Sequence, residues 1–110
     1  MLKAGYEINN FNTIIGGSFL QKSDQVAIKH IVTDSRKFEF REGSVFFALS
    51  GSRRDGHSYL QDMHGKGVRI FVVSRVAHIP VLKNATVIAV DDTVSALQTF
   101  AAHHRRLFNI

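Results

Sequence analysis

Apolar residues recur along this chain at two spacings, one helical and one extended. Ile8, Phe11, Ile14 and Ile15 fall on one side of a predicted helix. Gly16-Gly17 ends it, since glycine readily takes the left-handed turn that closes a helix. Val26 to Val32 is β-branched and partly alternating, which predicts a strand. From Ser44 to Leu49 the apolar run is nearly continuous behind Gly43, the pattern of a strand covered on both faces. A polar, glycine-bounded loop follows from Ser50 to Gly56. Tyr59, Leu60 and Met63 then share one side of a short helix expected over Ser58 to Lys66, stopped by Gly65 or Gly67. Val68 to Val73 and Ala85 to Val90 carry strong β composition. Asp91-Asp92-Thr93 supplies an N-cap for a last helix, whose apolar face reads as Val94, Leu97, Phe100, Ala101 and Leu107.

This alternation of strands and helices is an α/β order. It implies one three-layer domain over residues 1–110, with a mixed, mostly parallel sheet flanked by helices. Val45 to Val73 has the form of a right-handed βαβ unit built around a parallel strand pair. Ligands of such sheets bind at the carboxyl ends of the strands, where the loops gather. Two loops qualify, Thr33 to Lys37 and Ser50 to His57.

Composition narrows the classes. With 110 residues, 45% of them apolar and 21% charged, the chain has room for one domain with a core of its own. It has no cysteine, which removes disulfides, zinc thiolates and thiol nucleophiles together and suits the cytoplasm. Met1 to Asn12 carries Lys3, Glu7 and three asparagines where a signal peptide would have an apolar stretch. The longest apolar runs, Val45 to Leu49 and Ile70 to Val73, are too short to cross a bilayer, so no membrane partner is expected. A net charge of +5 and a pI near 10.0 favour anionic partners. Charge alone does not separate nucleic acid from a nucleotide or a phosphorylated sugar.

Thr33-Asp34-Ser35-Arg36-Lys37 leaves a strand with a carboxylate, a hydroxyl and two cations in succession. Such a string makes an ordinary turn, with Asp34 and Ser35 bonding back to the backbone. It also makes an anion or nucleotide clamp, in which Ser35 pairs with a base edge and Arg36 neutralises phosphate as a forked donor. In Gly51-Ser52-Arg53-Arg54-Asp55-Gly56-His57, two arginines between glycines suit either a solvated loop or a diphosphate grip. Triphosphate and dinucleotide signatures are absent. Gly65-Lys66 is followed by Gly67 and preceded by Leu60 where a P-loop needs glycine, and Ile70 stands at the third glycine of G-x-G-x-x-G. The adjacent His103 and His104 point in different directions on a helix and, with Arg105-Arg106, read as a basic last turn rather than metal ligands. His30, His64 and His78 have no local partner, and no G-x-S-x-G elbow accompanies them.

Taken together, His30 to Lys37, the G-x-x-F-x-A-x-x-G string from Gly43 to Gly51, Asp55-Gly56-His57 and the G-V-x-x-x-V-V strand from Gly67 resemble the N-terminal domain of Mur ligases. The resemblance runs from about Ile8 to Phe108. It implies a domain that holds the UDP end of a UDP-N-acetylmuramoyl peptide for an ATP-dependent ligase of peptidoglycan synthesis. T-D-S-R followed by Lys37 is most similar to the D-alanyl-D-alanine-adding member, with the diaminopimelate- or lysine-adding member sharing the D-S-R and D-G pieces. By the resemblance, Thr33 and Ser35 contact uridine, Arg36 belongs to the same motif, and Ser52, Arg53 and Arg54 lie on the nucleotide loop. Family members continue past the position of Ile110 into the segment that binds ATP. The resemblance therefore implies a fragment without catalytic residues or cofactor of its own, partnered by its substrate and by an ATP-binding domain. ATP and Mg2+ would serve the full-length enzyme, and pyridoxal phosphate would join them in forms fused to alanine racemase. The competing class is a small basic nucleic-acid-binding domain, suggested by Arg53-Arg54 and His103 to Arg106. Phenylalanines buried in apolar runs and the lack of RNP, KH or helix-turn-helix strings argue against nucleic acid.

Overall fold

Side chains of an extended chain alternate between the two faces of a sheet, so a strand apolar at every position needs cover on both. Among the described residues, three strands are nearly of that kind, with one Ser or Thr each at an end. In the computed structural model, which describes residues 5–23, 27–33, 42–49, 55–75 and 78–108, they are β3 (Ser44–Phe47), β4 (Ile70–Ser74) and β5 (Thr86–Val90). Their neighbours are β1 (Ser18–Gln21) and β2 (His30–Val32). The five-stranded sheet has the order β1-β5-β4-β3-β2, parallel throughout except for β1, which runs antiparallel to β5.

Val45, Phe47, Ile70, Val72, Ile88 and Val90 point to one face. There they meet α1 (Ile8–Ile15) and α3 (Thr93–Phe108) through Ile8, Phe11, Ile15, Ala96 and Phe100. Phe46, Ala48, Phe71, Val73, Val87 and Ala89 point to the other, under Leu60 and Met63 of α2 (Leu60–Gly65). The two clusters make three layers, as the sequence pattern predicts. Phe46 and Phe47 sit back to back across the sheet, Phe47 edge-on to Phe11 at 6.0 Å and Phe46 edge-on to Phe71 at 6.5 Å between ring centres. Thr86, buried in the sheet, exchanges hydrogen bonds with the backbone of Ser23.

Local chemistry starts and stops the helices. The Glu7 carboxylate accepts the N–H groups of Asn9 and Asn10 at the head of α1, and Gly16 closes its end at a φ of 67°. Asp92 accepts the Val94 N–H and the Ser95 hydroxyl at the head of α3. Tyr6 joins the chain's start to α3: its ring meets Phe100 edge-on at 4.8 Å and its hydroxyl lies 2.8 Å from His104 Nδ1. Burial pushes the Tyr6 phenol above its ordinary pKa.

Four sequence expectations are adjusted. The strand expected over Val26 to Val32 narrows to His30–Val32, because Ile28 pairs instead with Tyr6, and Gly43 takes the N–H groups of both Lys29 and His30. Gly43 holds this position at a φ of 85°, where an added Cβ would lie 2.6 Å from the Ala27 carbonyl oxygen. The helix expected over Ser58 to Lys66 begins as a 3-10 turn (Gly56–Tyr59) and becomes α-helical at Leu60. The inner face of α3 is Thr93, Ala96, Leu97 and Phe100, with half-buried His103 and His104 continuing it. Val94 and Ala101 are exposed, and the side chain of Leu107 lies outside the described residues. Hydrophobicity alone rotated the expected face, because the buried Thr93 and two histidines occupy inner positions. The sequence reading also lacks β1, a short and largely exposed edge strand with no clear alternation.

Phe46→Ala and Phe47→Ala should each destabilise the fold by about 3–5 kcal/mol, since both side chains are buried and neither cavity can collapse in a sheet packed on both faces. Chemical denaturation measures both. Acid should act through the caps. Hydrogen bonds from Ser95 and Val94 lower the Asp92 pKa, and those from Asn9, with others, lower that of Glu7. A depressed folded pKa means that the contribution is full above the unfolded value and lost as pH falls through the folded one. Asp92→Asn should therefore lower the melting temperature at pH 7, with the gap to the parent closing below about pH 4.

Candidate functional site

Four parallel strands end at the same edge of the sheet, and their in-register pairs Val32↔Phe46, Phe47↔Val72 and Ser74↔Val90 align the segments that leave them. Thr33, exposed, follows β2; Ala48 and Leu49 follow β3; Arg75 follows β4; Asp91 follows β5. The two loops singled out in the sequence thus leave adjacent strands in the same direction. Of the expected site residues, Thr33 is described and stands at this edge; Ser35, Arg36, Ser52, Arg53 and Arg54 lie outside the described residues.

The return from β3 is built by Asp55-Gly56-His57. Gly56 N–H donates to the Leu49 carbonyl at 2.7 Å. An added Cβ on Gly56 would lie 2.7 Å from Leu49 N and 2.9 Å from Leu49 O, so only glycine lets the two segments approach this closely. The Asp55 carboxylate accepts the backbone N–H of His57 at 3.0 Å and also bonds the ring at Nδ1. The far side of the ring, Nε2, accepts the Ser74 N–H at 2.9 Å. An acceptor nitrogen carries no proton, so this contact assigns the ring the Nδ1–H tautomer, donating to Asp55. Both ring nitrogens are engaged, and the arrangement braces the edge rather than offering a base.

A second brace closes the β5 side. Arg75 donates from Nε to the Asp91 carboxylate at 2.6 Å and from its fork to the Ser18 hydroxyl at 3.1 Å, while its backbone N–H meets the Val90 carbonyl at 2.9 Å. Elsewhere, His64 Nε2 lies 2.8 Å from the Lys83 carbonyl and its ring stacks on Phe71. Sequence reasoning assigned no role to His57, Arg75 or His64. The D-G-H string was the one available signal for His57; the partners of Arg75 and His64 are sixteen and nineteen residues away. Among the described residues no three His, Asp or Glu side chains gather as a metal site. An apolar groove lined by Leu20, Ile79, Pro80 and Val81 lies by β1 and the amino-terminal half of β5, away from this edge.

Residues 27–105 match the family described as Mur ligase family, catalytic domain. The UDP-N-acetylmuramoyl-tripeptide--D-alanyl-D-alanine ligase of Bacillus subtilis (strain 168) is 34% identical over 95 residues, covering 86% of this chain and 20% of that protein. A UDP-N-acetylmuramoyl-L-alanyl-D-glutamate--2,6-diaminopimelate ligase of Cytophaga hutchinsonii is 36% identical over 78 residues, 71% of this chain and 16% of its own length. A crystal structure of MurF from Acinetobacter baumannii superposes with a TM-score of 0.76 at 30% identity, covering 94% of this chain and 21% of that one. The chain thus spans about a fifth of the length of these relatives.

Gly56→Ala should destabilise the protein by about 1–3 kcal/mol, because the added methyl meets backbone that cannot step aside. Thermal melts of the variant beside Gly65→Ala, where an added Cβ meets nothing within 4 Å, check this.

Proposed function

This chain belongs to the Mur ligase family, and from that premise we propose that it docks the UDP-N-acetylmuramoyl-peptide substrate of an ATP-dependent ligase that adds D-alanyl-D-alanine during peptidoglycan synthesis. The observation that carries the reading is the parallel pairing of β2 with β3, which sends both candidate loops out of one sheet edge. In the proposal Thr33 and Ser35 bond the uridine, and Arg36, Ser52, Arg53 and Arg54 face the diphosphate. Backbone and hydroxyl groups suit a base edge, whereas guanidinium forks suit phosphate. The same docking role serves a diaminopimelate- or lysine-adding ligase, a second reading favoured by the likeness to the Cytophaga hutchinsonii protein.

In this proposal ATP and Mg2+ are held elsewhere in the ligase, because the sequence has no P-loop. Nucleotide activation is therefore assigned to parts of the ligase beyond these 110 residues, and the present chain alone should release no phosphate from ATP. The proposed setting is the cytoplasm. Separately, among the described residues no helix is long and apolar enough to cross a membrane.

An NMR titration with uridine, UDP and a short single-stranded DNA at two salt concentrations tests the reading. UDP should perturb Thr33 and the amides of both loops together, weakly, and more than other nucleotides do. Ser35→Ala should cost about 0.5–1.5 kcal/mol of binding and leave the fold intact. Arg53→Ala combined with Arg54→Ala should weaken UDP more than uridine, since a guanidinium acts on phosphate charge. A response to DNA equal to that for UDP, falling steeply with salt, would replace this reading with nucleic-acid binding.

A further inference from the structure

We propose that His57 is a positioning residue for the candidate docking edge: it pins the chain's return at Asp55 and Gly56 to the end of β4. The inference rests on the docking role proposed above for this edge.

The backbone geometry carries it. Along β4, N–H and C=O groups alternate sides. The Val72 carbonyl faces β3, where it accepts from Ala48 N–H at 2.9 Å, and Arg75 N–H faces β5, where it donates to Val90. Ser74 N–H therefore points to the β3 side. The register of β3 with β4 runs only to Phe47↔Val72, and the acceptor that Ser74 meets on this side is the imidazole Nε2 of His57. A side chain thus extends the ladder where the strand has turned away. Its ring is 7% exposed, and Asp55 holds it from the opposite nitrogen. One residue earlier, Gly56 N–H closes onto Leu49. The two ends of the segment from Leu49 to Asp55 are consequently tied to each other and to the next strand.

A brace of this kind acts on the edge of the sheet, so its loss should reach the ligand without reaching the core. Three variants of the 110-residue chain separate the possibilities. His57→Ala removes both bonds. His57→Asn keeps a donor for Asp55 but stops short of Ser74. In His57→Gln the longer amide offers an acceptor to Ser74 and a donor to Asp55.

Amide exchange of Gly56 and Ser74 should speed up about tenfold or more in the alanine variant while that of Val72 and Ile88 stays at the parent rate, and UDP affinity should fall about tenfold with a smaller loss for uridine. Glutamine should restore most of both. If the alanine variant does not fold, the asparagine variant should show the same loss. In the parent, imidazole nitrogen shifts should report the Nδ1–H tautomer. Parent-like UDP affinity and parent-like exchange of Gly56 and Ser74 in folded His57→Ala or His57→Asn would overturn the proposal, as would equal acceleration throughout the core. Absence of UDP binding to the parent would remove the docking reading and with it the nucleotide role of His57; the exchange rates would still decide whether His57 holds the edge.

Discussion

Three adjacent strands with no exposed position, β3, β4 and β5, set the terms for everything else in this protein. Apolar surface on both faces of a sheet has to be removed from water twice, so helices must lie above and below it. A chain that must cross from one strand to the next over a face returns in the same direction, which makes the pairing parallel. Parallel strands end together. The gathering of loops at one edge is thus a consequence of core composition, and a binding site at that edge needs no separate device to assemble it.

The edge itself is held by polar contacts that the core does not supply. Where β3 departs, Gly56 and His57 finish its hydrogen bonding toward Leu49 and Ser74; where β5 ends, Arg75 ties Asp91 to Ser18. The bonds of His57 to Ser74 and of Arg75 to Asp91 and Ser18 join residues at least sixteen apart in sequence, and all satisfy backbone or side-chain groups near the ends of strands. The Arg75–Asp91 pair is exposed and contributes little to stability by itself, whereas the nearly buried His57 ring bonds a strand terminus directly. The edge thus joins a hydrogen-bonded floor to segments whose sequence is polar and cationic.

The chain belongs to the Mur ligase family and spans about one fifth of the length of its relatives, and its sequence holds no P-loop for a triphosphate. Its positive charge fits an anionic ligand, yet the same charge fits many anions. Selectivity for uridine over other bases would have to come from hydrogen bonds at Thr33 and Ser35, not from the field of the whole domain.

Much of the fold was legible because it rests on local periodicity. Four of the five strands, the three helices and the three-layer order follow from runs such as Ser44 to Leu49 and from stops such as Gly16. Which segments leave the carboxyl ends of the strands was legible for the same reason, since strand ends can be read wherever strands can. The features that escaped depend on partners distant in sequence. β1 is a strand only because β5 offers it an edge, and its own residues show no clear alternation. The inner face of α3 includes Thr93, His103 and His104, polar residues that hydrophobicity assigns to water, although Thr93 is buried and the histidines meet Tyr6. His57 could be quoted as part of a motif, but its role required knowing that β3 turns away before β4 ends. The amino-acid sequence by itself determined which segments must be buried and hence the layers and the edge at which the strands end together, because burial follows from composition. Only the tertiary structure decided which polar groups complete that edge, because a hydrogen bond depends on where two distant groups arrive in space.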